Sequence, residues 1–368
     1  MRLRAARSDA VTGERFPAES ALRAAAVAAC CGVCAGLVHA APANDLSACL
    51  SLSDDRARLA CYDAQAGRSK MMSLPAPPGS VAAPDAAAAA SAGAVATRPG
   101  GALSSYWELD PADKRGTFNY TAHRANFVMP LRLMNRVNEA PVSPTRGTAT
   151  RLPDYERDEA EFQLSMRTKV TQDLLLPRAD LWVAYTQQSM WQMWNFSQSS
   201  PMRNTNYQPE LIYVVPTPAS WQRSTETWGW RMSQLALVHQ SNGQADPLSR
   251  GWNRIYALLG ADSGGTSATL RFEKVLGTTS DNPDIAHYLG HVQAELGGML
   301  GRSTFNALWR PASAGRGSAQ IEWTYPLHDD RPDGLRWYVL AFEGYGATLI
   351  DYNFRQVSLG AGLTIFKF

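Results

Sequence analysis

The chain has 368 residues, with Lys+Arg 35 against Asp+Glu 33 and a formal net charge of +2, so no global field recommends a nucleic-acid partner. Hydrophobic residues make up 45% and aromatic residues 10%, yet past the N-terminal segment there is no run of about 18 apolar residues, which a spanning helix requires. Any membrane span must then be built from strands, because in lipid only helices and closed barrels satisfy every backbone polar group.

Residues 1–40 read as an export signal: Arg15 and Arg23 precede an apolar stretch from Ala24 to Val38, and Val38-His39-Ala40 offers a cleavage site. The lead-in from Met1 to Ser20 is long and polar for such a signal, which leaves the true start codon open. Val27-Ala28-Ala29-Cys30 also resembles a lipidation box, so lipid attachment at Cys30 is a second reading of the same stretch. Of the five cysteines, Cys30, Cys31 and Cys34 lie inside this signal, which leaves Cys49 and Cys61 as an even pair in an oxidising compartment. Residues 41–72 form a small leader segment, expected as a short helical hairpin or turn stapled by that pair; two unpaired thiols are the alternative. Residues 73–102 are a Pro/Ala/Gly tract without apolar periodicity, a linker that cannot bury enough surface to fold alone.

From Leu103 the composition changes to short aromatic and β-branched segments separated by Gly, Pro, Asp and Asn. EFQLSMRTKV, DLWVAYTQQSMW, ELIYVV, SATLRFEKVLG, AQIEWTYPL and LRWYVLAFEGYG alternate with period 2, which puts each strand face in a different environment. A soluble sandwich uses the same alternation. The C-terminus favours a barrel, because GAGLTIFKF ends the chain inside a strand on Phe368, as exported outer-membrane barrels do. The expectation for residues 103–368 is therefore an all-β, twelve-stranded antiparallel transmembrane barrel, within the range of about 8 to 26 strands in bacterial barrels. No internal repeat of fixed period points to a solenoid or propeller.

The stretch LALVHQSNGQADPLSRGWNRIYALLG carries the chemistry. Leu235, Leu237, His239 and Ser241 fall on one strand face, and past a turn Asn253, Ile255, Ala257 and Leu259 form another, with Arg254 and Tyr256 opposite. The Leu/Ile faces should touch lipid and the Arg254 face should line the polar interior. Ser241 would then have an imidazole two residues away to take its proton, and Asn253 on the neighbouring strand could hold that ring in position. Spacing alone leaves a second reading open, in which these are interfacial polar residues near the rim.

YTQQSMWQMWNFSQSSPMRNTNYQPE, HQSNGQADPLSRGWNRIY, SDNPD and GYGATLIDYNF, in that order from Tyr185 to Phe354, resemble the outer-membrane phospholipase A family. The resemblance implies Ser241 as nucleophile, His239 as general base, Asn253 as orienting residue and the Gly243 N–H as an oxyanion donor. It also implies Ca2+ held in a homodimer by oxygens of Gln244, Ser249 and the second protomer's counterpart of Ser199, with Asp246 and Asp281 as a second, weaker calcium site. At Gln244 the family commonly has Arg, a departure that leaves a main-chain carbonyl ligand intact. Gln187 shares the apolar face of Leu181, Val183 and Tyr185, and the resemblance places it in the dimer interface; a position at the aqueous rim is the alternative.

Asp262-Ser263-Gly264-Gly265 is similar to a trypsin-like nucleophile loop but falls between two alternating segments, where a turn is expected. No G-x-S-x-G elbow occurs. The function implied is a calcium-dependent phospholipase of the outer membrane, with its leader in the periplasm and membrane phospholipids and lysophospholipids as substrates. A non-catalytic porin or adhesin barrel, and a soluble periplasmic sandwich, are the rival expectations.

Overall fold

The computed structural model describes residues 101–365, apart from 151–153, 201, 219, 222–227 and 278, together with Cys49, Asp54, Ala57, Arg58, Cys61 and Tyr62. The signal, nearly all of the linker, the lipidation candidate Cys30 and the terminal Phe368 lie outside the described residues. The chain divides into two compact units, Met1–Ala90 and Ser91–Phe368. In the first, Cys49 and Cys61 are joined in a disulfide with Cα atoms 5.6 Å apart. Asp54 starts the turn between them, its carboxylate accepting from the Ala57 N–H at 2.8 Å as helix-capping aspartates do.

The second unit opens with helix α1 (Gly101–Trp107), followed by a short strand β1 (Tyr120–Ala122) and β2 (Asn126–Met134). A two-stranded hairpin, β3 (Val142–Ser143) and β4 (Gly147–Thr148), interrupts the loop that leads to β5 (Asp158–Thr171). There follow β6 (Asp180–Trp191), β7 (Asn204–Pro216), β8 (Gly229–Ser241), β9 (Gly251–Ser263) and β10 (Thr266–Leu276). After helix α2 (Ile285–Leu289) come β11 (Val292–Leu300), β12 (Ser303–Pro311), β13 (Gly317–Pro326), β14 (Leu335–Tyr345) and β15 (Arg355–Ile365). Each strand from β5 to β15 pairs antiparallel with the next, β15 returns to β2, and β2 pairs β5. The twelve strands β2 and β5 to β15 thus close a barrel, and β1 pairs with the far half of the 14-residue β5.

Closure forces the two faces of each strand apart in chemistry. On the outside, Leu235, Leu237, Leu259, Leu270, Phe272, Leu296, Ile321 and Leu359 are exposed. That surface would be insoluble in water and suits hydrocarbon. Inside, charges are buried in pairs: Arg203 reaches Glu159 at 2.7 Å and Asp351 at 3.1 Å, Arg132 also reaches Glu159, and Arg254 reaches Glu273 at 3.1 Å. Removing one member of such a pair strands a buried charge, so the interior holds together as a network.

The stretch directly after Leu103 is helical rather than extended. Leu103 and Trp107, four residues apart, share one helical face, and both are buried. This face packs into the short-turn end of the barrel against Trp182, Ile212, Met232 and Tyr256. The Asp262 carboxylate accepts from the Leu103 N–H at 3.1 Å, so the segment similar to a protease loop caps a helix and then turns at Gly264 and Gly265. The Arg167 guanidinium lies 3.6 Å from the Tyr106 ring centroid, 4.4 Å from Trp107 and 5.3 Å from Trp182. Lys169 closes the end with a 2.7 Å ion pair to Glu108. Trp107→Ala should therefore cost about 3 kcal/mol of barrel stability, read as a lower urea midpoint in heat-modifiable gel migration, whereas an alanine at the exposed Trp221 should leave that midpoint unchanged.

Candidate active site

Strand β8 ends on Ser241 and β9 begins at Gly251, so loop 242–250 stands at the long-loop end of the barrel. In the register between them His239 lies opposite Asn253 and Ser241 opposite Gly251. Val238, Gln234 and Arg254 are buried inward, while Leu235, Leu237, His239 and Asn253 face outward and Ser241 is half-buried on the same side. The predicted faces are those observed. His239 Nδ1 lies 2.8 Å from Asn253 Oδ1. An amide oxygen only accepts, so Nδ1 carries the proton and donates, which leaves the lone pair of a neutral ring on Nε2. Ser241 follows two positions along the strand on the same face, roughly 6.6 Å away at the Cα. Across the strand, Gly251 leaves the space beside Ser241 open: a Cβ there would sit 3.6 Å from the Ser241 Cβ.

The loop is braced by Asn242, which is buried. Its Oδ1 accepts from the Arg250 N–H at 2.9 Å, and its Nδ2 donates to the Leu248 carbonyl at 2.9 Å. Gly243 has φ +62, a left-handed conformation that glycine adopts freely. A Cβ on Gly243 would stand 3.2 Å from Tyr207 Cε2, so the Tyr207 ring covers the backbone just past Ser241. Tyr207 pairs with Ser241 from β7 and is itself exposed.

Around the loop the structure joins several of the remaining candidates. Ser249 Oγ donates to Asp281 Oδ2 at 2.7 Å, and Arg146 reaches both Asp281, at 2.6 Å, and Asp246, at 2.9 Å. Burial pushes the Asp281 carboxyl up, but hydrogen bonds from Ser249 and Arg146 outweigh that and hold it below the usual carboxylate range. Gln244 donates from Nε2 to the Arg203 carbonyl at 3.2 Å, while its Oε1 is buried without a hydrogen-bond partner. Ser199 stands apart from these: its hydroxyl donates to the Phe196 carbonyl at 3.4 Å and its own carbonyl accepts from Trp191 Nε1 at 2.8 Å. Gln187 faces outward on β6, accepting from the Tyr185 hydroxyl at 3.4 Å.

Three residues at the site had no signal in the sequence. Tyr207 needs the β7–β8 register to be seen beside Ser241. Asn242 looks like any turn residue until its two bonds across the loop are drawn. Arg146 lies 100 positions from Asp246 and 135 from Asp281.

A closed twelve-strand barrel with an apolar outer wall, bearing an exposed imidazole–amide pair next to a serine on that wall, defines an integral outer-membrane β-barrel with a lipid-side polar site. The family model described as Phospholipase A1 matches residues 103–365, and the chain belongs to that family. It is 37% identical over 213 residues to the phospholipase A1 of Escherichia coli (strain K12), covering 57% of this chain and 70% of the relative. Identity and coverage are the same for the phospholipase A1 of Salmonella typhimurium. Among solved structures, the Salmonella typhi outer membrane phospholipase dimer with bound calcium is similar at 32% identity and TM-score 0.61, over 69% of this chain and 94% of that one. The Escherichia coli outer membrane phospholipase A matches at 31% and TM-score 0.59, over 67% and 94%.

Asn242→Ala would leave the buried Arg250 N–H without an acceptor, a loss of about 1–3 kcal/mol. Because the Asn242 side chain bonds across the base of loop 242–250, the loss should appear as faster hydrogen exchange in that loop, with strands β8 and β9 still protected.

Proposed function

We propose that the chain is a calcium-dependent phospholipase that hydrolyses acyl esters of phospholipids and lysophospholipids at both glycerol positions, with Ser241 as nucleophile. The observation that carries this reading is the 2.8 Å contact from His239 Nδ1 to Asn253 Oδ1 on the outer wall. An imidazole held in its Nδ1–H tautomer presents a basic Nε2, and the serine on the same face is the group it can deprotonate. Ser241 Oγ attacks the ester carbonyl carbon while His239 Nε2 takes its proton. The same nitrogen returns the proton to the departing glycerol oxygen, and the acyl group stays on Ser241. Water, deprotonated by His239, then adds to the acyl-enzyme, and the fatty acid leaves as Ser241 regains its proton. Asn253 holds the ring through both steps but adds no negative charge to the imidazolium. The Gly243 N–H, on a backbone that only a residue tolerant of positive φ maintains, is the donor for the tetrahedral oxyanion, a contribution typically of about 100- to 1000-fold in rate.

The loop beside the serine fits a calcium ion. The Gln244 main-chain carbonyl and the Ser249 hydroxyl are hard oxygen donors of the kind calcium takes, and the buried, unpartnered Gln244 Oε1 shows that the loop already holds an oxygen unsatisfied by protein. Bound there, the ion would supply positive charge next to the developing oxyanion. Ser199 bonds within its own segment rather than to Gln244 or Ser249, which is compatible with its acting on the second protomer's site in a homodimer. Gln187, outward on β6, belongs to the same interface, where a hydrogen bond in lipid contributes only about 0.6 kcal/mol. Packing and calcium would carry the rest.

The decisive test is a serine-directed fluorophosphonate with refolded protein: wild type should be labelled and hydrolyse phospholipid, and Ser241→Ala should do neither while migrating as a folded barrel. Turnover retained by that variant would remove the proposal. Asn253→Ala should lower turnover by about 100-fold, the lower end of what positioned general-base catalysis contributes, and remain measurable. Chelation should silence wild type and shift it toward monomer in cross-linking, and Ser249→Ala should raise the calcium concentration that restores both. Full activity in a chelated monomer would defeat the calcium and dimer parts while leaving Ser241 and His239 in place.

A further inference from the structure

Asp246 and Asp281 stand on different loops, 242–250 and 277–291, and one guanidinium reaches both. Arg146, at the tip of the β3–β4 hairpin, donates from Nε at 3.1 Å and Nη2 at 2.6 Å to Asp281 Oδ1, and from Nη1 at 2.9 Å to Asp246 Oδ2. The backbone that delivers it is itself latched. Ser143 Oγ donates to the Asp281 carbonyl, Thr145 Oγ1 donates to the Ser280 carbonyl, and Ser143 Oγ accepts from the Arg146 N–H at 3.4 Å. From the other side, Asn353 Nδ2 donates to the Val142 carbonyl at 3.0 Å.

Two carboxylates brought together by neighbouring loops repel one another unless a cation lies between them. A calcium ion would need six to eight oxygens at about 2.3–2.6 Å, whereas the guanidinium already sits between the two carboxylates, bonded to Oδ1 of Asp281 and Oδ2 of Asp246. As they stand, Asp246 and Asp281 do not fit the second calcium site that the family resemblance implies. We infer that Arg146 is the resident cation of the Asp246–Asp281 pair, so that this chain neutralises that site with its own side chain and binds calcium only at Gln244 and Ser249. The last clause rests on the proposed function; the role of Arg146 does not.

The division of labour reaches the other site. Arg146 uses Asp281 Oδ1, and Ser249 Oγ donates to the remaining oxygen, Oδ2. A hydroxyl whose hydrogen is committed in this way keeps its lone pairs for a metal, so Asp281 acts from behind Ser249 as an orienting acceptor, the usual part of an outer-shell carboxylate. Loops 135–157, 242–250 and 277–291 are then tied together before any ion arrives.

The test is a calcium titration of the refolded full-length chain in detergent, followed by calorimetry and by terbium luminescence, with folding verified by heat-modifiable migration. Asp246→Asn should bind as many calcium equivalents as wild type, because Asp246 is already taken. Arg146→Gln should gain an additional equivalent per protomer, and Arg146→Lys should not. Loss of an equivalent in Asp246→Asn, or no gain in folded Arg146→Gln, would overturn the inference. Should Arg146→Gln fail to fold, the Asp246→Asn arm decides alone. Wild type that binds no calcium, beside an Arg146→Gln variant that does, would sink the Gln244/Ser249 assignment and uphold Arg146.

Discussion

Backbone satisfaction in lipid governs this structure. Each strand must give all of its N–H and C=O groups to neighbours, and the β2–β5 and β5–β6 pairings complete the ring so that no edge is left in hydrocarbon. Once the ring is closed, the period of two turns every strand into a partition between lipid and interior. The Leu235, Leu237 and Leu259 side chains are exposed for the same reason that Glu159, Arg203 and Asp351 are buried in contact with one another. Apolar packing inside the barrel is confined to local clusters, such as the one α1 makes with Trp182, Ile212, Met232 and Tyr256, because most of the apolar side chains on the strands face outward. Elsewhere, paired charges, hydrogen-bonded amides and the aromatic residues of α1 line the inside around a cavity of about 830 Å³.

The same partition explains where the polar site can be. A histidine, a serine and an asparagine on the lipid side are tolerable only near the rim, where strands end, and Ser241 is the last residue of β8. Hydrogen bonding between two of them lowers the cost of facing lipid: Asn253 Oδ1 satisfies the His239 ring N–H that would otherwise point into hydrocarbon. Stability and chemistry are thereby separated. The interior network and the site take opposite faces of the same strands, touching where Gln244 donates to the Arg203 carbonyl, and the site's other supports are local, through Asn242, Gly251 and the Tyr207 ring.

What could be read from the sequence follows that physics. Alternation is local, so DLWVAYTQQSMW was legible as a strand and coincides with β6. The assignment of Arg254 inward and Ile255 outward was legible too, because it needs only the sign of each face. That Asn253 stands beside His239 depends on register, which the β8–β9 ladder supplies. Helix α1 was not legible as a plug, since Leu103 and Trp107 give only one helical repeat and the partners that bury them, Trp182 and Met232, lie far along the chain. Tyr207 was hidden for the same reason, being placed by a ladder rather than by a motif. Arg146 was hidden most deeply: its hairpin has two residues per strand, and its meaning comes wholly from Asp246 and Asp281, contributed by two later loops.

Loops of a barrel share no hydrogen-bond ladder, so they need separate ties to hold a site at a strand end. Here the ties are electrostatic and come from the chain: Arg146 to Asp246 and Asp281, Asp281 to Ser249, and Asn242 across the base of loop 242–250. Had that neutrality depended on an ion, the loops beside Ser241 would have been ordered only when the ion was present, and Gly243 would have been aimed only then. With an arginine in that place, the arrangement of loop 242–250 is available beforehand. In the proposed enzyme, calcium is then left to act on the reaction and on dimer assembly rather than on loop order. Control of activity would accordingly sit at the meeting of two protomers, where Ser199 must be brought from outside, and not in the folding of either one.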